Sequence, residues 1–363
     1  MYNMISEIDL RELSKISSKD RAFLTVYVED IKDLKTINQR LENLGHVIAN
    51  DYEKEIYNEN IKLLHELLKK EINLKGCYVF FICWLLNFTE FYELEIPISD
   101  QVIIDSSPFI KPIAEIKDEY EDFAVVVADN DRARVFLISA LKEQDQKVIK
   151  GKIKNHVKVG GWSQQRYERR RDKQLHHYVQ DIIDYLHQLE HEHDYSRIVM
   201  VGAKEVLTHL EKELPLRLKN KLITDEVIDL KQQNIDEEIY KLFTELERQE
   251  EENLWNQIKS KYVAGGLAVV GLEEVLKNLK VGRVEAVLVD RNYQPQGIRC
   301  RNCGNLIPEE VDKCPLCNSE DVFSVDLVNE ITEWAYKTSA LIEYADNIEE
   351  LKKLGSIAAL LRF

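Results

Sequence analysis

KIKNHVKVGGWSQQRYERRRDK, residues 152–173, sets the frame within which the rest of the chain is read. Consecutive glycines, Gly160 and Gly161, free the backbone to take positive φ and to approach another backbone closely. Lys154, Lys158, Arg166, Arg169, Arg170, Arg171 and Lys173 supply cations for phosphate, and Trp162 and Tyr167 offer faces on which a base can stack. The plain alternative is a flexible surface loop leading into a basic helix, and the segment alone leaves both readings open. From Lys150 to Lys173 nine Lys/Arg stand against Glu168 and Asp172, a local balance of +7. The whole 363-residue chain carries −16, so the remainder sums to −23. Polyphosphate repels so acidic a surface, and an RNA partner is therefore expected to meet this one basic projection.

Working outward, the fold class is α/β: three tandem mixed α/β domains, at 1–118, 119–234 and 235–363, the third with an inserted zinc ribbon at 297–322. In the first, FLTVYV (Phe23–Val28) reads as a buried strand. Helical periodicity then runs from Leu34 to Glu71, Gly76 stops it, and Tyr78–Leu86 and Phe91–Ile98 read as paired strands. Two prolines in SSPFIKPIAE mark the break to the central unit. There FAVVVA (Phe123–Ala128), a DND turn and a strand ending at Ile138 form a hairpin. Beyond the basic segment Tyr167, Arg171, Leu175, Val179, Ile182, Leu186 and Leu189 share one helix face, and Ile198–Gly202 is a core strand followed by a helix through Val206 and Leu210. Lys221–Thr224 and Glu226–Leu230 are strand-like. The third unit opens with a charged helix from Ile235 to about Ala264, whose run Glu250–Glu252 is a solvated face. Helices at Leu272–Leu279, Val325–Lys337 and Ile348–Lys353 then alternate with strands at Val284–Val289, Ala340–Tyr344 and Ile357–Phe363.

Four of six cysteines fall in eighteen positions as Cys300-Arg-Asn-Cys303 and Cys314-Pro-Leu-Cys317. Two such knuckles grip one Zn²⁺ tetrahedrally, and Gly304 and Asn318 fit the turn each needs. With all four ligands from protein, the site is expected to be closed and structural. Cys77 and Cys83 read as buried small hydrophobes. His187, His191 and His193 are spaced as metal ligands on a helix could be, but a solvated helix terminus is the better account. The longest apolar stretch, Val79–Phe88, is far short of the ~20 residues that span a bilayer. The N-terminus lacks the basic and apolar regions of a signal peptide, so a cytoplasmic protein with no membrane partner is expected.

GGWSQQRYERRR, set between a strand hairpin and a long helix, resembles the GGQ loop and Arg-rich helix of the archaeal and eukaryotic class-1 peptide chain release factors and their relative Pelota. GGLAVVGLEEVLKNLKVGRVEAVLVD (265–290), the cysteine insert and the ending SIAALLRF resemble that family's C-terminal domain. Two departures point to the divergent bacterial and archaeal branch that includes the hibernation factor Balon. Trp162 and Ser163 separate the glycines from Gln164, whereas hydrolytic members place glutamine directly after them. The first domain lacks a codon-reading NIKS-type loop, Thr36-Ile-Asn-Gln being the nearest string.

The resemblance implies a ribosome-binding translation factor that occupies the A site in nascent-chain release or ribosome rescue. Peptidyl-tRNA hydrolysis would use Gly160, Gly161 and Gln164. The alternative is a non-hydrolytic hibernation or stalling-recognition factor. Implied partners are rRNA, peptidyl-tRNA and a translational GTPase, with no DNA.

Overall fold

The computed structural model describes residues 8–70, 76–94, 96–120, 122–139, 142–151, 162–193, 195–223 and 235–363. Two compact units emerge: Met1–Glu119 together with Glu247–Phe363, and Tyr120–Leu246. Both are mixed α/β.

The N-terminal part of the first unit runs α1 (Leu10–Lys15), β1 (Phe23–Val28), α2 (Lys35–Val47), α3 (Asp51–Lys70), β2 (Cys77–Cys83), β3 (Phe88–Leu94), β4 (Gln101–Asp105) and α4 (Lys111–Glu119). Its antiparallel sheet has the order β3-β2-β1-β4, and every residue of β1 and β2 is buried. The helical stretch expected over 34–71 is two helices, because Asn50 accepts from the amides of Tyr52 and Glu53 and so caps a new start at Asp51. The strand expected to reach Leu86 ends at Cys83 and passes into a 3-10 turn, Trp84–Leu86, closed by Asn87 at φ 49°. Pro112 stands in the first turn of α4, where its missing N–H costs nothing, so the expected break is a helix start. Cys77 and Cys83 are buried as expected.

The central unit contains β5 (Phe123–Ala128), β6 (Arg132–Ser139), β7 (Lys142–Lys150), α5 (Trp162–Glu192), β8 (Arg197–Gly202), α6 (Lys204–Glu213), α7 (Leu216–Lys219) and β9 (Leu222–Ile223). The sheet order is β7-β6-β5-β8-β9, antiparallel up to β5 and parallel beyond it. Period-2 alternation sends Ala124, Val126 and Ala128 to one face and Phe123 and Val125 to the other. The first face receives α5 through Leu175, Tyr178, Val179, Ile182, Ile183, Leu186 and Leu189, all buried. At ~1.5–3 kcal/mol per large apolar side chain, that stripe holds α5 by on the order of 10 kcal/mol. Gly202 closes β8 at φ +138°, where a Cβ would lie 1.8 Å from the Ala128 carbonyl oxygen. The second strand-like piece expected after β8, Glu226–Leu230, lies outside the described residues.

Helix α8 (Ile235–Val263) leads back into the first unit, followed by β10 (Ala268–Val270), α9 (Leu272–Lys280), β11 (Val284–Asp290), β12 (Gln296–Cys300), β13 (Leu306–Ile307), β14 (Val322–Asp326), α10 (Leu327–Thr338), β15 (Leu341–Ala345), α11 (Glu349–Lys353) and β16 (Ile357–Leu361). One sheet is β10-β16-β11-β15 and a small one, β13-β12-β14, carries the cysteine insert. This part packs on the N-terminal part through polar contacts as well as apolar ones. Asn329 accepts from the amides of Ile110 and Lys111 at 2.9 and 3.1 Å, and Ser107 donates to Glu333.

Candidate functional site

The basic segment springs from a braced frame. The turn between β5 and β6 is held by Gly151, whose amide donates 2.7 Å to the Asp131 carbonyl, and by the Tyr178 hydroxyl, which donates 2.9 Å to the Asp129 carbonyl. A Cβ on Gly151 would stand 2.8 Å from the Asn130 oxygen, which explains a glycine at this exit. Lys154, Lys158, Gly160 and Gly161 lie outside the described residues. Helix α5 begins at Trp162, so the Gln164 backbone is in the first helical turn; the side chains of Trp162, Gln164, Arg166 and Tyr167 also lie outside the description.

From residue 168 the side chains sort by helix face. Arg169, Arg170 and Lys173 are exposed. Arg171, among the residues expected to meet RNA, forms a two-pronged pair with both carboxylate oxygens of Glu205 on α6, its own side chain 13% exposed. The Glu205 carboxylate drives that guanidinium still further above its ordinary pKa. A second brace lies two turns along. Glu213 accepts from Gln180 at 2.8 Å and lies 2.8 Å from His176 Nδ1. Burial works to raise the Glu213 carboxyl, yet His176 and Gln180 hold it below the ordinary carboxylate range. Sequence reading missed Glu205 and Glu213 as partners. A signal for Arg171 was present, since it shares the helix face of Leu175, Val179 and Ile182.

The second candidate site is the cysteine cluster, the one group of three or more metal-capable side chains among the described residues. The sulfurs of Cys300, Cys303, Cys314 and Cys317 all lie within 4.8 Å of one another, with Cys300–Cys317 at 3.5 Å and Cys303–Cys314 at 3.6 Å. Tetrahedral zinc with ~2.3 Å bonds to sulfur sets its ligands ~3.8 Å apart, so the cluster fits that ion. Each knuckle closes by an amide returning to its first cysteine: Gly304 to the Cys300 carbonyl and Asn318 to the Cys314 carbonyl, both 2.8 Å. Gly304 and Asn318 take φ +71° and +59°, as their turn-forming types require. The Ser319 amide and the Asn302 side chain pull the Cys317 thiol down to about 6, which makes its thiolate available near neutrality. Within the first knuckle Arg301 reaches Asp20 (2.9 Å), Glu53 (2.6 Å) and Asp321 (2.9 Å), with Phe323 beneath it at 5.2 Å. The sequence offered no sign of that node.

His187 and His191 are exposed near the end of α5, the first lying 3.8 Å from Glu190. His187, His191 and His193 form no metal-capable group with other described residues. No described helix is long and apolar enough to cross a membrane.

Residues 108–240 match the family described as bacterial archaeo-eukaryotic release factor family 10. The peptide chain release factor subunit 1 of Archaeoglobus fulgidus is 23% identical, over 98% of this chain and 96% of its own length. That of Methanopyrus kandleri is 28% identical over 55% of this chain and 51% of its own. Among solved structures, Dom34 of S. cerevisiae, a translation termination-like factor, superposes with a TM-score of 0.43 at 12% identity, covering 82% of this chain and 81% of Dom34.

Proposed function

From the match of residues 108–240 to the bacterial archaeo-eukaryotic release factor family and the 23% identity to an archaeal release factor subunit 1 over nearly the whole chain, we propose that the chain is a member of the release-factor and Pelota superfamily, acts on the ribosome as a release or rescue factor and enters the A site with its basic segment foremost. The observation that carries this reading is the row of exposed cations Arg169, Arg170 and Lys173 just after the Gly160-Gly161 segment, on a chain that sums to −23 outside Lys150–Lys173. Counterion release on meeting rRNA phosphates supplies affinity there while the acidic remainder is repelled from other nucleic acid. In this reading 1–118, 119–234 and 235–363 are the three domains. The first faces the decoding site, the second faces the acceptor end of the peptidyl-tRNA, and the third docks a translational GTPase. Lys154, Lys158, Trp162, Arg166 and Tyr167 extend the RNA contact, and the protein works in the cytoplasm.

Zinc held by Cys300, Cys303, Cys314 and Cys317 makes the cysteine insert a zinc ribbon. With four thiolates as ligands no position is left for water, so the metal's part is to hold the two knuckles together.

Two chemistries follow for the tip. In the hydrolytic one, Gly160 and Gly161 let the backbone approach the peptidyl-tRNA ester and the Gln164 amide positions a water. A second reading, hibernation or stalling recognition without hydrolysis, is favoured by one observation. The helix begins at Trp162, so Gln164 stands within helical backbone rather than beside the glycines. A displacement of an ångström is enough to cost ~100-fold in a positioning step.

The test is co-sedimentation with ribosomes together with nascent-chain release from purified ribosome complexes. Wild type should co-sediment, and reversing Arg169 and Arg170 to Glu should abolish it; retention of full binding would defeat the RNA reading. Release that Gln164→Ala removes identifies the hydrolytic factor, whereas binding without release identifies the second reading.

A further inference from the structure

Within the cationic run the structure separates one arginine from its neighbours. At ~100° per residue along α5, Arg171 continues the stripe of Leu175, Tyr178 and Ile182, whose side chains are buried in the central core. One turn before Leu175 that core gives out, and α6 supplies Glu205 to the guanidinium through both carboxylate oxygens. Arg169, Arg170 and Lys173 occupy the opposite arc and are exposed. No carboxylate among the described residues pairs with them.

We propose that Glu205 withholds Arg171 from nucleic acid and makes it a positioning residue, which ties the basic end of α5 to α6 so that Arg169, Arg170 and Lys173 face RNA phosphates in fixed register. This rests on the reading that the segment meets RNA, and deepens it by dividing the arginines into phosphate ligands and brace. The physical reason is desolvation. A guanidinium already bonded to a carboxylate by two parallel N–H···O bonds must give up a charge-assisted pair before it can reach a phosphate. Its neighbours surrender only water and counterions. The partner met is the sugar-phosphate backbone, because a cationic helix face with no base-reading geometry of its own recognises charge.

Salt dependence separates the two roles. The logarithm of the affinity for a short fluorescein-labelled RNA hairpin is measured against the logarithm of KCl concentration, using the full-length protein. Each phosphate that is no longer neutralised makes the slope shallower by ~0.7 to 0.9. Arg169→Gln, Arg170→Gln and Lys173→Gln should each make it shallower by that amount, while Arg171→Gln, which loosens the register without removing a phosphate ligand, should weaken affinity at every salt concentration and leave the slope unchanged. Glu205→Gln should steepen it by a similar amount, as Arg171 is released to meet a phosphate; an unsteepened slope overturns the withholding. In case Arg171→Gln disturbs folding, the exchanged pair Arg171→Glu with Glu205→Arg keeps the brace and the net charge. Its slope should equal wild type, and a slope lowered as in Arg169→Gln overturns the proposal. If wild type binds neither the hairpin nor ribosomes, it is the RNA reading itself that fails.

Discussion

Replacing Arg301 by Met should loosen the cysteine insert from the N-terminal part of its unit. Arg301 lies between two cysteines of the first knuckle, and its guanidinium is shared by Asp20, Glu53 and Asp321 at 2.6–2.9 Å. Burial opposes the charge, but Glu53 and Asp20 together hold the guanidinium well above its ordinary pKa. The guanidinium carbon lies over the Phe323 ring at 5.2 Å, so methionine, which keeps much of the aliphatic stem, removes the charge together with that ring contact. Breaking a buried pair costs ~3–5 kcal/mol. Here Glu53 is 9% exposed and meets that condition, Asp20 at 24% does so partly, and Asp321 at 59% is screened by water. The expected cost is therefore about 2–3 kcal/mol, most of it from stranding Glu53. Amide hydrogen exchange reads it locally: residues 18–22 and the first turn of α3, 51–54, should exchange about 30- to 160-fold faster. Adding Glu53→Gln should restore part of the protection, since no buried carboxylate is then left unpaired. With zinc held by the four cysteines as proposed, chelation should produce the same pattern, because the knuckle sets where Arg301 stands. Exchange within twofold of wild type at both segments would refute the reasoning.

Three further outcomes are expected. Metal analysis should find one zinc per chain, and Cys303→Ser should drop occupancy below half after dialysis; undiminished occupancy would exclude the four-sulfur site. Burial, with Glu330 nearby, pushes Asp105 up to about 7, and burial, again with Glu330, pushes Glu333 to about 8. Both values lie above those of the unfolded chain, so their stabilisation is complete below about pH 4, falls as pH rises and is gone above about 8. Glu251, raised to about 7 by burial, acts in the same sense. Together these three carboxyls should make the first unit about 5 kcal/mol more stable at pH 6 than at pH 8.5 by denaturant titration, and a rise in stability with pH would contradict this. Finally, Gly202→Ala sets a Cβ against the Ala128 oxygen at a backbone angle hostile to side chains. It should destabilise the central unit by about 3 kcal/mol, seen as a lowered Tm with the first unit unaffected.

Several features were legible because their causes are local. Phe23–Val28, Phe123–Ala128 and Arg197–Gly202 are dense in β-branched and aromatic residues and form strands within a residue or two of expectation. The split at Asn50 was also written locally, as a capping residue inside a periodic run, yet continuous periodicity across it hid the boundary. β7, Lys142–Lys150, has no apolar alternation over KEQDQ and forms because β6 offers it an edge. Periodicity cannot reveal a strand whose stability comes from its neighbour.

The sequence by itself determined the four-cysteine site, since ligand spacing and the turn residues Gly304 and Asn318 act within a few positions of each other. It equally determined that one cationic segment interrupts an acidic chain. Only the tertiary structure decided that, among the described cations of that segment, Arg171 is paired with a carboxylate. Arg171 and Glu205 are 34 positions apart, and Arg301 and Glu53 are 248 apart. It also decided that Met1–Glu119 and Glu247–Phe363 form one compact unit. The physical reason is the same in each case: charge pairing and burial depend on distances in space, and those are set when distant segments pack, not by the pattern of residues along either one.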